Sequence, residues 1–262
     1  MIGFALDMDG TVYHGERPIP GAREFIDRLT EAGVPFRFIT NNSSHTRRFY
    51  ADRLIRMGFK VTYEHVLTST TATVRFLLEN RPGRTAFVLA APEVEEEIRS
   101  AGIPAPGEGI PDMVVLTFDT TVDYAKLNDA YHYIQKGAEF IATHPDDVCP
   151  TEEGYDVDIG PFIRLFESLT GKKATVVGKP NRLMLDMAAL EMGVPADDVV
   201  MVGDRLSTDM RMARDAGTAS ILVLSGETDL ALLEGSDIRP TFVKDSVADI
   251  DVDEIARGMP SH

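Results

Sequence analysis

Two aspartates near the start of the chain are spaced so that they could act on one substrate or bind one cation. They are Asp7 and Asp9, and they directly follow the short apolar run 2–6. Such a run is typical of a buried strand, and ligands bind outside the carboxyl ends of the strands in open α/β sheets. Two carboxylates this close repel each other unless a cation or a proton stabilises them. The pair therefore indicates metal-assisted chemistry.

Three further polar signals follow predicted strands later in the chain. They are Thr40 with Asn41 and Asn42, then Lys179, and finally Asp204 with Asp209. Each signal alone is typical of a turn, a helix cap or a solvated side chain. In a doubly wound sheet all four signals are expected at one edge. There they would supply carboxylates, a cation and hydrogen-bond donors, an inventory that favours phosphoryl transfer with Mg²⁺.

The elements that must position these residues alternate between strands and amphipathic helices. Apolar residues recur at helical spacing from Ala22 to Ala32 and stop at Gly33, and the next strand is predicted at 36–39. The C-terminal part repeats the pattern, with strands predicted at 174–177, 199–202 and 221–224. In the middle we predict strands at 86–90, 113–118 and 140–142, and helices at 93–99 and 124–136. The alternation predicts an α/β fold with a mostly parallel sheet.

The composition is that of an ordinary globular protein. Its 262 residues fit one large or two medium domains, with 44% hydrophobic and 26% charged residues. The longest apolar run, 86–91, is too short to span a bilayer, and we expect no signal peptide. Cys149 is the only cysteine, which excludes an intrachain disulfide and a thiolate metal cluster. These features favour a cytoplasmic protein.

The net charge of −16 limits the class of partner. With 26 basic and 42 acidic residues, neither nucleic acid nor an anionic membrane is expected as a partner. Small anionic substrates remain possible where a metal, a lysine or helix N-termini supply a local positive site.

The four signals together resemble the motifs of the haloacid dehalogenase superfamily of phosphohydrolases. The segment Asp7 to Thr11 resembles the first motif, Thr40 the second, Lys179 in Gly178-Lys179-Pro180 the third, and Gly203 to Asp209 the fourth. The segments 40–44, 150–154 and 220–226 are similar to the NagD-like branch of that superfamily, also called nitrophenylphosphatase-like.

The resemblance implies a Rossmann-like, doubly wound parallel-sheet core with an inserted α/β cap domain. The interval from Thr40 to Lys179 is much longer than the other intervals between motifs, and it leaves roughly 100 residues for a cap. We therefore expect a catalytic core from 1–78 and 174–262, and a cap from 79–173 that sets substrate specificity.

The resemblance also implies a role for each motif residue. Asp7 is expected to attack phosphorus and form an aspartyl-phosphate. Asp9 is expected to protonate the leaving alcohol and then to activate water. Lys179 would neutralise the phosphoryl oxygens as a point charge. Hydrogen bonds to those oxygens would come from Thr40, Asn41 and Asn42, although Asn42 could equally serve as a helix cap.

The implied cofactor is Mg²⁺. Its expected ligands are the carboxylates of Asp7 and Asp204 and the backbone carbonyl oxygen of Asp9. Asp209 is expected to orient metal-bound waters or Lys179, with a direct ligand or a plain solvated residue as alternatives.

Substrate choice is expected to depend on the cap loop from His144 to Asp158. His144 is a candidate substrate ligand, although many relatives carry Asn there and a lone loop histidine is more often a surface residue. The segment 158–161 also follows the branch pattern only in part. These two departures limit what can be transferred from relatives about the substrate.

The sequence therefore predicts a Mg²⁺-dependent phosphatase for small phosphomonoesters. Sugar phosphates or nucleoside monophosphates are the expected substrates, and nitrophenyl phosphate the expected substrate in vitro. Alternatives are a phosphotransferase or mutase that uses the same intermediate, and a non-catalytic protein that binds a phosphorylated metabolite. A homodimer is an open possibility that rests on the resemblance alone.

Overall fold

The structure is a computed structural model that describes residues 2–151 and 154–258. Residues 152 and 153 of the NagD-like segment 150–154 lie outside the described residues. The strands are β1 (Gly3–Leu6), β2 (Tyr13–His14), β3 (Arg17–Pro18), β4 (Phe36–Thr40), β5 (Val66–Thr68), β6 (Ala86–Leu89), β7 (Met113–Leu116), β8 (Glu139–Ala142), β9 (Val148–Thr151), β10 (Gly154–Val157), β11 (Thr175–Val176), β12 (Val199–Gly203), β13 (Ser220–Val223) and β14 (Phe242–Lys244).

Helices separate most of these strands. They are α1 (Ala22–Glu31), α2 (Arg47–Arg56), α3 (Ser69–Asn80), α4 (Pro92–Ser100), α5 (Tyr124–Lys136), α6 (Gly160–Thr170), α7 (Leu183–Met192), α8 (Arg211–Ala216), α9 (Leu230–Gly235) and α10 (Val252–Gly258). A π-helical turn, Leu206–Met210, leads into α8. None of the helices described is long and apolar enough to cross a membrane.

The chain divides into two compact units. The first contains residues 1–40, 50–67 and 179–262, and the second contains 41–49 and 68–178. These bounds differ from the predicted domain limits at 78/79 and 173/174, because helix α3 and the segment 41–49 group with the second unit. The assignment of the units to a catalytic core and a specificity cap stays a prediction.

The first unit is built on a six-stranded sheet with the order β14-β13-β12-β1-β4-β5. The pairings of β1 with β4 and β12, and of β13 with β12 and β14, are all parallel. From β1 the strand order runs outward through β4 and β5 on one side, and through β12 to β14 on the other. The order therefore reverses between β1 and β12, which is where open α/β sheets bind ligands.

Helix α1 shows how the sequence builds this unit. Its buried side chains, Ala22, Phe25, Ile26 and Leu29, lie on one face at helical spacing. Phe25 meets Phe4 of β1 edge to face, with ring centroids 6.0 Å apart. Gly33 ends the helix in the left-handed region, with φ of 65°, and the Val34 N–H donates to the Leu29 carbonyl.

The second unit has its own four-stranded sheet with the order β11-β8-β7-β6. Helices α5 and α6 pack in this unit over an apolar cluster that includes Leu116, Ile134, Phe140 and Phe166. A separate antiparallel hairpin pairs β9 with β10. The predicted α/β fold class is confirmed.

One sequence-based expectation about the sheets is wrong. The run 174–177 is predicted to add a strand to the sheet whose edge carries the four polar signals. Its strand β11 instead pairs with β8 in the second unit. Lys179 therefore follows a strand of the other sheet, although it belongs to the first unit. A two-residue strand cannot specify its sheet through local pattern, because tertiary pairing decides it.

Candidate active site

Three predicted site residues follow from the strand ends of the first unit. β1 ends at Leu6 and places Asp7 next, whose N–H donates to the Val202 carbonyl of β12 at 2.8 Å. β12 ends at Gly203 and places Asp204 next. Thr40 is the last residue of β4, the other neighbour of β1. Asp7 and Asp204 thus lie at the point where the strand order reverses.

Lys179 joins two aspartates of this unit. Its Nζ forms an ion pair with Asp7 and donates to Oδ1 of Asp209 at 2.7 Å. Asp209 is fully buried, and its Oδ2 accepts from the Arg205 N–H at 3.2 Å. The Asp209 carboxylate thus holds the ammonium beside Asp7, which favours the predicted role of orienting Lys179.

Asp204 is held by the backbone around it. Its Oδ2 accepts from the Glu227 N–H at 2.7 Å, and its Oδ1 lies 3.4 Å from the Thr11 hydroxyl. A Cβ on Gly226 or on Gly10 would overlap this carboxylate. Glycine is required at both positions because the backbone approaches the carboxylate so closely.

The buried charges of the cluster do not balance. Among the described residues, Asp7, Asp204 and Asp209 are buried together with one buried ammonium, that of Lys179. Burial, together with the neighbouring aspartates, raises the pKa of Asp7 to about 8 and that of Asp204 to about 6. Burial alone would lower the pKa of Lys179, but the carboxylates of Asp209 and Asp7 outweigh it and raise that pKa. The cluster therefore favours binding of additional positive charge.

The donor set fits a hard divalent cation. One carboxylate oxygen from each of Asp7, Asp204 and Asp209 lies within 4.8 Å of the others. Oxygen ligands of this kind suit Mg²⁺, and a cation there would offset the excess negative charge.

Asp9 has a different environment from Asp7. Its side chain is 38% exposed, and His14 Nδ1 lies 3.8 Å from its Oδ1. Burial raises the pKa of Asp9, and the positive charges of Arg53, His14 and Arg205 oppose that rise. A carboxyl with a raised pKa and an open side suits proton exchange better than permanent ionisation.

Asn41 and Asn42 belong to the second unit, and their side chains have partners there. The Asn41 amide nitrogen lies 3.2 Å from both carboxylate oxygens of Asp146. Asn42 Oδ1 accepts from the N–H of Ser44 at 3.0 Å and from its hydroxyl at 2.7 Å. The Asn42 contacts form a turn of the kind that short polar side chains make. The side chain that caps α2 is Thr46, whose hydroxyl accepts from the Phe49 N–H at 3.2 Å, so the capping alternative for Asn42 is not supported.

His144 is buried in the second unit rather than on a loop surface. Its Nε2 lies 2.8 Å from Oδ1 of Asp158, and its Nδ1 lies 3.0 Å from the Thr143 hydroxyl. The Ser43 hydroxyl is 3.4 Å from the same Nδ1. Since both ring nitrogens have partners inside the unit, the geometry favours a structural role over the predicted contact with substrate. His144 and the segment 158–161, which begins at Asp158, are also where the sequence departs from the branch pattern.

Several residues around the cluster were missed by sequence reasoning. The positive charges of Arg53 and His14 act on Asp9, and Glu227 donates its N–H to Asp204. Of these residues, only Glu227 lies next to a signal, since it directly follows the segment 220–226 that is similar to the NagD-like branch. Arg53 and His14 lie in stretches without a motif, so their contacts could not be inferred locally.

Comparison with known proteins identifies the family. A haloacid dehalogenase-like hydrolase family matches residues 4–104, and a HAD-hydrolase-like family matches residues 176–250. The 5'-nucleotidase YutF of Bacillus subtilis is 31% identical over 94% of this chain and 96% of its own. The chain belongs to the haloacid dehalogenase-like hydrolases. The dihydroxyacetone phosphatase of Corynebacterium glutamicum is 34% identical over 95% of this chain and 90% of its own.

Solved structures place this hydrolase in the NagD-like branch. The 4-nitrophenylphosphatase of Thermotoga maritima superposes with a TM-score of 0.91 at 39% identity, covering 95% of each chain. NagD of E. coli K-12 gives 0.88 at 31% identity, covering 96% of this chain and 99% of its own. The resemblance stated from the motifs is confirmed, and so is the enzyme class, a phosphoric monoester hydrolase.

Proposed function

We propose that this hydrolase is a Mg²⁺-dependent phosphatase that releases phosphate from small phosphomonoesters through an aspartyl-phosphate on Asp7. The observation that carries the proposal is the buried cluster of Asp7, Asp204 and Asp209 around Lys179. It combines a nucleophile, a fixed positive charge and oxygen donors for a cation. These are the groups that phosphoryl transfer requires.

In the first step a carboxylate oxygen of Asp7 attacks phosphorus, and the bond from phosphorus to the leaving oxygen breaks. Asp9 gives its proton to that oxygen, so the alcohol leaves neutral. Lys179 attracts the phosphoryl oxygens during transfer, and Asp209 keeps its ammonium in place. Thr40 is proposed as a hydrogen-bond donor to the same oxygens.

In the second step Asp9, now ionised, takes a proton from water. The resulting hydroxide oxygen attacks phosphorus, phosphate leaves, and the Asp7 carboxylate is restored. Atoms and charges balance over the two steps, because the proton given to the alcohol is recovered from water.

The carboxylates of Asp7 and Asp204 and the backbone carbonyl of Asp9 are the proposed Mg²⁺ ligands. The bound cation would screen the repulsion between the Asp7 carboxylate and the phosphate dianion. The three buried carboxylates with one ammonium support this part of the proposal.

The substrates are proposed to be sugar phosphates or nucleoside monophosphates, with 4-nitrophenyl phosphate as a substrate in vitro. The names of relatives include both a 5'-nucleotidase and a dihydroxyacetone phosphatase. The second unit is proposed as the cap that selects among them, and the first as the catalytic core. A cytoplasmic location and a homodimer also belong to the proposal, and sedimentation would test the dimer.

A panel of phosphomonoesters, assayed for released phosphate with Mg²⁺ and with EDTA, tests the function. We expect hydrolysis that needs the metal and that Asp7→Asn abolishes. Activity that survives this substitution, or that proceeds unchanged in EDTA, would overturn the mechanism. A phosphorylated acceptor in place of free phosphate would favour a phosphotransferase, and tight binding without turnover would favour a binding protein.

A further inference from the structure

The residues that follow Asp9 form a very small hairpin. Strand β2 pairs antiparallel with β3 through a two-residue turn, Gly15 and Glu16. At the base of this hairpin an isolated β-bridge pairs the backbones of Asp9 and Tyr13. The Gly10 N–H donates to the Tyr13 carbonyl at 2.8 Å. The backbone direction at Asp9 therefore depends on where the hairpin lies. Two strands of two residues each cannot be stable alone, so other residues must hold them.

Arg53, on helix α2, contacts the hairpin in three ways. Its Nη2 donates to the carbonyl of Gly15 at 2.7 Å, and its Nε lies 3.1 Å from a carboxylate oxygen of Glu16. Its guanidinium carbon lies 4.8 Å from the centroid of the Tyr13 ring. The Arg53 side chain is only 18% exposed, whereas that of Glu16 is 62% exposed. The planar guanidinium can make all three contacts at once, which an ammonium cannot do.

A weaker contact holds the opposite side of the hairpin. His14 Nε2 lies 2.5 Å from the carbonyl of Ser225, and the Ser225 hydroxyl donates to the carbonyl of Gly10 at 2.8 Å. The His14 side chain is 57% exposed, so water competes for this contact more than for those of Arg53. Of these two polar contacts to the hairpin, that of Arg53 is the better shielded from water.

We propose that Arg53 is a positioning residue that fixes the hairpin and thereby aims the Asp9 carboxyl at the leaving-group oxygen. The inference rests on the proposed function, in which Asp9 is the general acid. Arg53 itself contacts the turn and the ring of the hairpin, and its positive charge also opposes the rise in the pKa of Asp9. No motif of the sequence includes it.

This role makes a prediction that depends on the leaving group. An alkyl phosphate needs a proton on its leaving oxygen, whereas 4-nitrophenolate leaves without one. The kinetic constant kcat/KM covers the steps up to departure of the leaving group, so later hydrolysis of the aspartyl-phosphate does not affect it. A misdirected Asp9 should therefore reduce kcat/KM for alkyl phosphates more than for 4-nitrophenyl phosphate.

The test compares Arg53→Gln, Arg53→Lys and a control, Arg56→Gln, which changes an exposed arginine of the same helix. The substrates are 4-nitrophenyl phosphate and the best alkyl substrate among glycerol phosphate, ribose 5-phosphate and dihydroxyacetone phosphate. For Arg53→Gln we expect a loss of about 10- to 100-fold in kcat/KM for the alkyl phosphate, and at most a few-fold loss for the nitrophenyl ester. Arg53→Lys should show the same bias to a smaller extent, and Arg56→Gln none.

Equal losses with both substrates, or no loss with either, would overturn the inference. Thermal melting of each variant shows whether it is folded, and if Arg53→Gln is not, the bias must still appear in Arg53→Lys. A wild-type enzyme that hydrolyses no phosphomonoester would refute the proposed function and this inference with it. An active wild type with unbiased Arg53 variants would refute the inference alone.

Discussion

At the scale of single residues, Asp7 and Asp9 differ in environment although one residue separates them. Asp7 is buried and paired with Lys179, while Asp9 is partly open and faces Arg53 and His14. We expect Asp9→Asn to leave the pairing of Lys179 with Asp7 intact but to lower kcat/KM for alkyl phosphates by about 100-fold or more. The loss should be least for 4-nitrophenyl phosphate. Steady-state kinetics on both substrates checks this, and an equal loss on the two would contradict the division of roles.

The pH dependence of stability should report the charge imbalance around Asp7. Its pKa is raised from 3.8 to about 8 in the folded protein. A carboxyl with a raised pKa holds its proton more tightly when folded, so its contribution to stability is present at low pH and is lost as pH rises towards 8. In EDTA, we expect the Tm of Asp7→Asn to fall less than that of the wild type between about pH 5 and pH 8.

Thermal melts across that range, with and without Mg²⁺, measure the effect. Saturating Mg²⁺ should reduce the difference in slope between the two proteins, because a bound cation favours the ionised carboxylates. Parallel Tm curves for wild type and Asp7→Asn in EDTA would contradict the proposed imbalance.

At the scale of elements, the loop between β8 and α6 is closed at its base by a buried pair. His144 follows β8, Asp158 precedes α6, and the two side chains are joined at 2.8 Å. Asp158 Oδ1 also accepts from the Ile159 N–H at 2.7 Å. Removing one partner leaves a buried polar group unpaired, so His144→Asn or Asp158→Asn should each cost about 2–4 kcal/mol.

A double-mutant cycle by urea unfolding tests this closure. We expect the double variant to lose less stability than the sum of the single variants, because the interaction can be removed only once. Strict additivity would show that the pair is not coupled. His132→Asn, on a helix of the same unit, serves as a matched control.

The same scale shows which elements local sequence can predict. Strands β1, β4 and β12 were predicted because each is a buried apolar run that ends in a polar signal. The hairpin β2–β3 was not predicted, because its four residues carry no alternating pattern and depend on the distant Arg53. Helix α6 was also not predicted, although Pro161 suits the first turn of a helix.

At the scale of the whole molecule, the chain passes between the two units after Thr40, Phe49, Leu67 and Gly178. The long interval between motifs predicted an insertion, because the remaining motif intervals are short. The assignment of 41–49 and 68–78 to the second unit was not predicted, because helix and strand patterns look alike in both units. Motif order predicts that four charged residues lie together: Asp7, Lys179, Asp204 and Asp209. The hydrogen bonds of His144 and Arg53 could not be predicted, because they depend on tertiary contacts that a single sequence does not encode locally.

Two of these passages adjoin residues of the proposed site, Thr40 and Lys179. Gly178 immediately precedes Lys179, and its N–H donates to the Thr143 carbonyl at 2.7 Å. A Cβ there would overlap that carbonyl and would lie 2.7 Å from Asn41 Oδ1.

We expect Gly178→Ala to displace the backbone that leads into Lys179 and to lower kcat/KM by about 10- to 100-fold. Because Lys179 is proposed to act on the phosphoryl group, the loss should be equal for alkyl and nitrophenyl esters, unlike the loss expected for Arg53→Gln. Gly107→Ala is the control, because a Cβ at Gly107 meets nothing within 4 Å. A loss in Gly178→Ala that is confined to alkyl phosphates would contradict the proposed role of Lys179.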